Sequence, residues 1–137
     1  MLIVSACLAD LHCRYDGTGK PCEAVIRLVA KGLAIPVCPE QLGGLPTPRL
    51  PAERIGDRVM RKDGVDVTAA FEAGAREALQ LARLVEARTA ILKSRSPSCG
   101  SGKIYDGSFT DRLVEGEGVF AQACKQDGME VKTEQDF

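Results

Sequence analysis

Thiols carry most of the chemistry this chain could do: six cysteines at Cys7, Cys13, Cys22, Cys38, Cys99 and Cys124. No two are spaced C-x-x-C, which disfavours a zinc ribbon, a zinc knuckle and a thioredoxin-type dithiol. If these thiols bind a metal, they must converge from distant parts of the chain. Cys99 sits in SRSPSCGS (94–101), where Ser94, Ser96 and Ser98 alternate ahead of the thiol and Pro97 and Gly100 bend the chain. Cys38 opens CPE, so Glu40 follows a thiol by two residues. His12 is the one histidine, which excludes a histidine-rich zinc or copper site and reads as an exposed loop residue. Gly17-Thr18-Gly19-Lys20 lacks full P-loop spacing and does not directly follow an apolar run, so it reads as a helix-entry turn.

Those residues need a frame. Four short apolar runs read as strands: LIVSA (2–6), AIPVC (34–38), TAILK (89–93) and MEVKT (129–133). EAVIRLVAKG (23–32) has apolar residues at helical spacing (Val25, Leu28, Val29) and Gly32 where a C-cap belongs. VTAAFEAGAREALQLARLVEA (67–87) is the clearest helix, with Phe71, Ala75, Ala78, Ala82 and Val85 on one stripe and Asp66 or Thr68 as N-cap. GVFAQACKQDG (118–128) adds a short helix closed by Gly128. Strand–helix alternation predicts βαβ units and a single α/β domain over 1–137: a three-layer Rossmann-like fold around a mainly parallel four-stranded sheet. Two stretches interrupt it. CPEQLGGLPTPRLPAE (38–53) reads as irregular, with a small hairpin expected after it around Asp63-Gly64. Residues 95–118 are glycine-rich, with a hairpin expected near IYDGSF.

Composition narrows the function classes. Hydrophobic residues make up 45% of the chain and charged residues 27%, the balance of a globular protein rather than a disordered one. Eighteen Lys and Arg stand against nineteen Asp and Glu, so net charge gives no reason to expect a nucleic acid or a membrane surface as partner. Aromatic content of 4% without tryptophan argues against a platform for stacking single-stranded bases. No apolar run is long enough to span a bilayer. MLIVSACLAD has no basic segment before its apolar residues, so it reads as a first strand rather than a signal peptide, and a cytoplasmic protein is expected. In a reducing compartment clustered thiols serve metals or catalysis rather than disulfides.

Cys7, Cys38 and Cys99 each lie at or just beyond the C-terminal end of a predicted parallel strand. In an open α/β sheet those ends share one edge, and ligands bind in the crevice outside it. A lone free cysteine is ordinarily a small buried hydrophobe. Three at equivalent strand ends call for another explanation. Cys13, in LHCRYDG, is a fourth candidate that could ligate or support its loop, whereas Cys22 and Cys124 fall at and inside helices and read as structural. Three thiolates suit an iron–sulfur cluster with one iron left open, since full protein ligation would take four. Zinc with three cysteines and a water is the competitor, ranked lower because zinc sites usually show closer ligand pairs.

CLADLHCRYDGTGK, VCPEQLGGLPTPR and KSRSPSCGSGKIYDGSF, with VDVTAAFEAGA between the last two, resemble the bacterial and archaeal thiouracil desulfidase family over essentially the whole chain. The resemblance implies a Rossmann-like fold and a 4Fe-4S cluster held by three cysteines, falling here on Cys7, Cys38 and Cys99. It implies removal of sulfur from thiolated pyrimidines without net redox change, with a small thiolated nucleobase as substrate. The family's acid/base glutamate falls on Glu40 and its assisting serine on Ser96, with Ser98 as the fallback and a substrate contact. Arg14 and Asp16, and more loosely Arg49, are expected to line the pocket. The first loop departs from the family pattern, reading ADLHC where a leucine–glycine sequence is common. Two other functions compete: a desulfidase acting on thiolated nucleosides in RNA, and an iron–sulfur or zinc binding module that senses redox state or handles metal.

Overall fold

The computed structural model describes residues 1–137. Its centre is a four-stranded parallel sheet built from β1 (Leu2–Ser5), β2 (Ala34–Val37), β5 (Thr89–Leu92) and β8 (Glu130–Thr133), in the order β2-β1-β5-β8. Each predicted strand is present, shorter by one residue at one end. Register pairs Ile3 with Ile35 on one side and with Ala90 on the other. Pro36 sits in β2, an edge strand, where its missing N–H costs the ladder little.

Alternating side chains load the two faces differently, as the strand period requires. Val4, Ala34 and Ile91 face α1 (Glu23–Ala30) and bury Val25. Ile3, Ala90 and Leu92 pack beneath α3 (Thr68–Leu84) and α4 (Val119–Gln126), with Ala75, Ala78, Ala82, Phe120 and Cys124. The result is the three-layer α/β arrangement the alternation predicts. Small alanines let α3 lie close to the sheet, and Phe120, fully buried, fills the space beside them. The helices end where expected: Gly32 and Gly128, both at positive φ, follow the C-caps Lys31 of α1 and Asp127 of α4. The long helix differs at its start. Val67 occupies the N-cap position, the Asp66 carboxylate accepts the Thr68 N–H at 2.9 Å, and the Thr68 hydroxyl serves the neighbouring hairpin by accepting the Val59 N–H at 2.8 Å.

Two insertions leave the C-terminal edge of the sheet. After β2 the chain forms a single helical turn, α2 (Pro39–Leu42), then the hairpin β3 (Ala52–Ile55) and β4 (Arg58–Arg61). The turn corrects the reading of 38–53 as irregular: Pro39 at the start of a helix is preorganised rather than disruptive. The hairpin reverses at Gly56-Asp57, while Asp63-Gly64 makes a second tight turn that returns the chain for a bridge between Met60 and Asp66. After β5 comes the hairpin β6 (Ser101–Tyr105) and β7 (Leu113–Glu117), with DGSF in its loop as expected. Two short 3-10 turns, Ala6–Ala9 and Glu134–Asp136, follow β1 and β8. No helix is long and apolar enough to cross a membrane.

Candidate active site

The crossovers from β1 run in opposite directions, to β2 on one side and ultimately to β5 on the other, so the sheet's switch point lies between β1 and β5. A cleft of about 640 Å³ opens there, and Cys7, Cys13, Cys38 and Cys99 all line it. Cys7 follows β1 directly in its 3-10 turn, Cys38 follows β2, and Cys99 is presented by the loop after β5. Cys22 and Cys124 lie elsewhere; Cys124 is fully buried within α4, and no cysteine is disulfide-bonded.

The Cys99 loop is held from two directions. Ser96 Oγ accepts the N–H groups of Ser98 (3.1 Å) and Cys99 (3.0 Å), a side-chain turn that fixes the thiol's backbone. The first amides of α4 then donate outward: Val119 N–H to the Pro97 carbonyl at 2.9 Å and Phe120 N–H to that of Ser98 at 2.8 Å. A helix N-terminus that needs acceptors and a loop that supplies carbonyls satisfy each other.

Glu40 is set by a closer constraint. Its helical turn α2 packs backbone to backbone on α3, where a Cβ on Gly43 would collide with the Ala70 carbonyl and one on Gly74 with the Pro39 carbonyl. The carboxylate is 15% exposed and the Arg49 guanidinium 7%. Glu40 Oε1 accepts from Arg49 Nε at 3.0 Å and lies at the same distance from Nη2 as an ion pair, and Oε2 accepts from Ser98 Oγ at 2.8 Å. Ser98 Oγ in turn lies 3.0 Å from Ser96 Oγ and 3.7 Å from Cys99 Sγ. Glutamate, both serines and a thiol thus form one connected group.

The thiols are poor acids as they stand. Burial pushes Cys99 up to about 12, against the pull of the Ser5 and Ser98 hydroxyls. Contact with Cys38 pulls Cys13 down, but contact with Cys7 and burial outweigh it, leaving that thiol at about 11. Contact with Cys13 and then burial drive Cys38 upward as well. Such groups are inert as free nucleophiles at neutral pH, whereas a coordinating metal deprotonates them outright. No three His, Cys, Asp or Glu side chains close around a single ion. Soft donors brought to one cleft from the ends of three strands fit a polynuclear iron–sulfur group.

Of the other expected pocket residues, Arg14 and Arg49 line the cleft and Asp16 does not. The Asp16 carboxylate accepts the Thr18 N–H (3.1 Å) and hydroxyl (2.6 Å), which holds it below the usual carboxylate range and occupies it in the turn. His12 is exposed, as read. Sequence reasoning missed Ser5, Lys93, Ser94 and Glu134 in the lining. The available signal was the strand-end rule itself: Lys93 and Ser94 follow β5, and Glu134 follows β8. Glu53 was also missed; buried in β3, it accepts the N–H groups of Gly107 (2.9 Å) and Phe109 (3.1 Å), which ties the β6–β7 loop over the cleft.

The family model for 2-thiouracil desulfurase matches residues 2–136. The chain belongs to that family. A solved structure described as a 4Fe-4S-dependent thiouracil desulfidase, TudS, superposes with a TM-score of 0.95 at 46% sequence identity, over 99% of this chain and 91% of that one. The protein YbbK of Bacillus subtilis (strain 168), itself uncharacterised, is 40% identical across 100% of this chain and 97% of its own length. Family membership accords with the sequence resemblance, and the fold expected from it is the fold observed.

Proposed function

We propose that this protein is an iron–sulfur-dependent desulfidase that exchanges the sulfur of a thiolated pyrimidine for the oxygen of water, turning thiouracil into uracil and hydrogen sulfide without net redox change. The observation that carries this reading is the meeting of Cys7, Cys38 and Cys99 with the Glu40–Ser98 pair in one cleft at the sheet's switch point. Those three cysteines would hold a 4Fe-4S cluster, with Cys13 a supporting thiol beside Cys7 and Cys38. When bound, the cluster supplies an open iron, a soft Lewis acid suited to a thiocarbonyl sulfur. A reducing cytoplasm suits thiols kept free for that purpose.

The chain's own residues supply the rest. Glu40 keeps one lone pair of Oε2 beyond its bond from Ser98, and there it takes a proton from the attacking water and later returns it to the departing sulfur. Ser96 uses its oxygen as acceptor for two amides, which leaves its own proton to donate to Ser98 or to the oxygen developing on the ring. Arg14 offers a cation at the cleft, and Asp16 acts through the turn: it binds Thr18, whose hydroxyl accepts from Arg14 at 3.4 Å. A metal-holding or redox-sensing module has no use for a glutamate braced in this way.

Protein reconstituted with iron and sulfide without oxygen, then given 2-thiouracil, should release uracil and sulfide in equal amounts over many turnovers. Cluster-loaded protein that yields no uracil would overturn the enzymatic reading in favour of the module.

A further inference from the structure

We propose that Arg49 is a positioning residue that fixes the Glu40 carboxylate for proton transfer, an inference that rests on the role given to Glu40 above. All three nitrogens of its guanidinium are engaged. Nε donates to Glu40 Oε1, which also lies 3.0 Å from Nη2 as an ion pair, and Nη2 donates to the Cys13 carbonyl at 3.0 Å. Nη1 donates to the Pro46 carbonyl at 3.1 Å and to Thr47 Oγ1 at 3.0 Å. The Arg49 backbone N–H adds a bond to the Tyr15 carbonyl at 2.8 Å.

Three of those four side-chain hydrogen bonds hold the guanidinium itself, so the cation presented to Glu40 is rigid before any substrate arrives. The Arg49 hydrogen bond and ion-pair contact both fall on Oε1, and Ser98 takes one lone pair of Oε2. The carboxylate therefore has one rotational setting, with its remaining Oε2 lone pair in a defined direction. Lysine cannot substitute: three protons on one nitrogen cannot span the Cys13, Pro46 and Glu40 oxygens at once. Arg49 also links the loop carrying Cys13 to the helical turn carrying Glu40, so a structural clamp is the competing reading, and the test has to separate the two.

Arg49→Met and Arg49→Lys, reconstituted as above, should bind iron as the parent protein does and keep KM for 2-thiouracil within about threefold. Their kcat should fall by about 100-fold, the loss expected from misplacing a catalytic group by about an ångström. Added guanidinium ion should restore part of the kcat of Arg49→Ala, saturably, by refilling the vacated slot. A crystal structure of metal-free Arg49→Met should show the Glu40–Ser98 hydrogen bond broken. A kcat that falls only in proportion to lost iron, or stays at the parent level with that bond intact, reduces Arg49 to a clamp. Glu40→Gln is the control: if it alone is fully active, the role of Glu40 fails first, whereas an inactive Glu40→Gln beside an active Arg49→Met sinks only the positioning role.

Discussion

Two carboxylate–cation pairs line the same cleft, Glu40 with Arg49 after β2 and Glu134 with Lys93 at the ends of β8 and β5, and they are built for different work. Both are largely buried, with Glu134 19% and Lys93 17% exposed. Glu134 is tied three times to one strand end: Oε1 accepts the Ser94 N–H at 2.7 Å, and Oε2 accepts from the Ser94 hydroxyl at 2.9 Å and from Lys93 Nζ at 2.8 Å. It staples the last strand to its neighbour. Glu40 has all its cationic contacts on one oxygen, and the other touches only a serine of the thiol-bearing loop. Contact with the serine beside Cys99, rather than burial or charge pairing, separates the proposed base from the staple.

Substitutions at the two glutamates test that distinction from opposite sides. Glu40→Gln should lower kcat by about 10²- to 10⁴-fold, the range for loss of a general base. It should also cost about 1–3 kcal/mol of stability, because the buried Arg49 guanidinium loses its ionic partner. Gly74→Ala comes next. It forces the Pro39 carbonyl away from α3 and so moves the turn that carries Glu40, costing about 1–3 kcal/mol of stability by overpacking and about 100-fold in kcat. Glu134→Gln should cost a similar amount of stability, about 1–3 kcal/mol from the stapled hydrogen bonds, with kcat reduced less than tenfold. Chemical denaturation with parallel turnover assays reads all three. A Glu134→Gln variant as inactive as Glu40→Gln would erase the difference between the pairs.

The Glu134 staple also carries a pH signature. Burial alone would raise its carboxyl, but Lys93 and the two Ser94 donors hold it below the usual glutamate range. A carboxyl lowered on folding contributes stability that is present in full above its unfolded value of about 4.3 and is lost as pH falls through the lower folded value. The stability gap between the parent and Glu134→Gln should therefore be flat near neutrality and close in acid. A gap that widens below pH 4 contradicts the assignment.

Local signals made much of this legible in sequence. Apolar runs bounded the four strands to within one residue, Gly32 and Gly128 marked helix ends, and the three strand-end thiols pointed to one edge. What escaped was set by partners distant in the chain. The helical turn at Pro39 depends on Gly43 and Gly74 allowing close approach to α3, which prolines and glycines read one by one as a loop do not disclose. Glu134 was missed because only strand ends bearing cysteine were weighed. Asp16 was expected at the pocket from charge and proximity, yet Thr18, two residues away, claims its carboxylate. Ser96 and Ser98 differ in contacts that the sequence could not show: Ser98 meets Glu40, whereas Ser96 accepts the amides of its own loop.

Iron binding by single cysteine variants tests the central claim most directly. After oxygen-free reconstitution, Cys7→Ser, Cys38→Ser and Cys99→Ser should each lose most of the iron and the cluster's visible absorption, while Cys22→Ser and Cys124→Ala should retain both, the latter at a cost of about 1 kcal/mol in stability. Full iron content in the three cleft variants, or its loss in the two helix variants, would contradict the account.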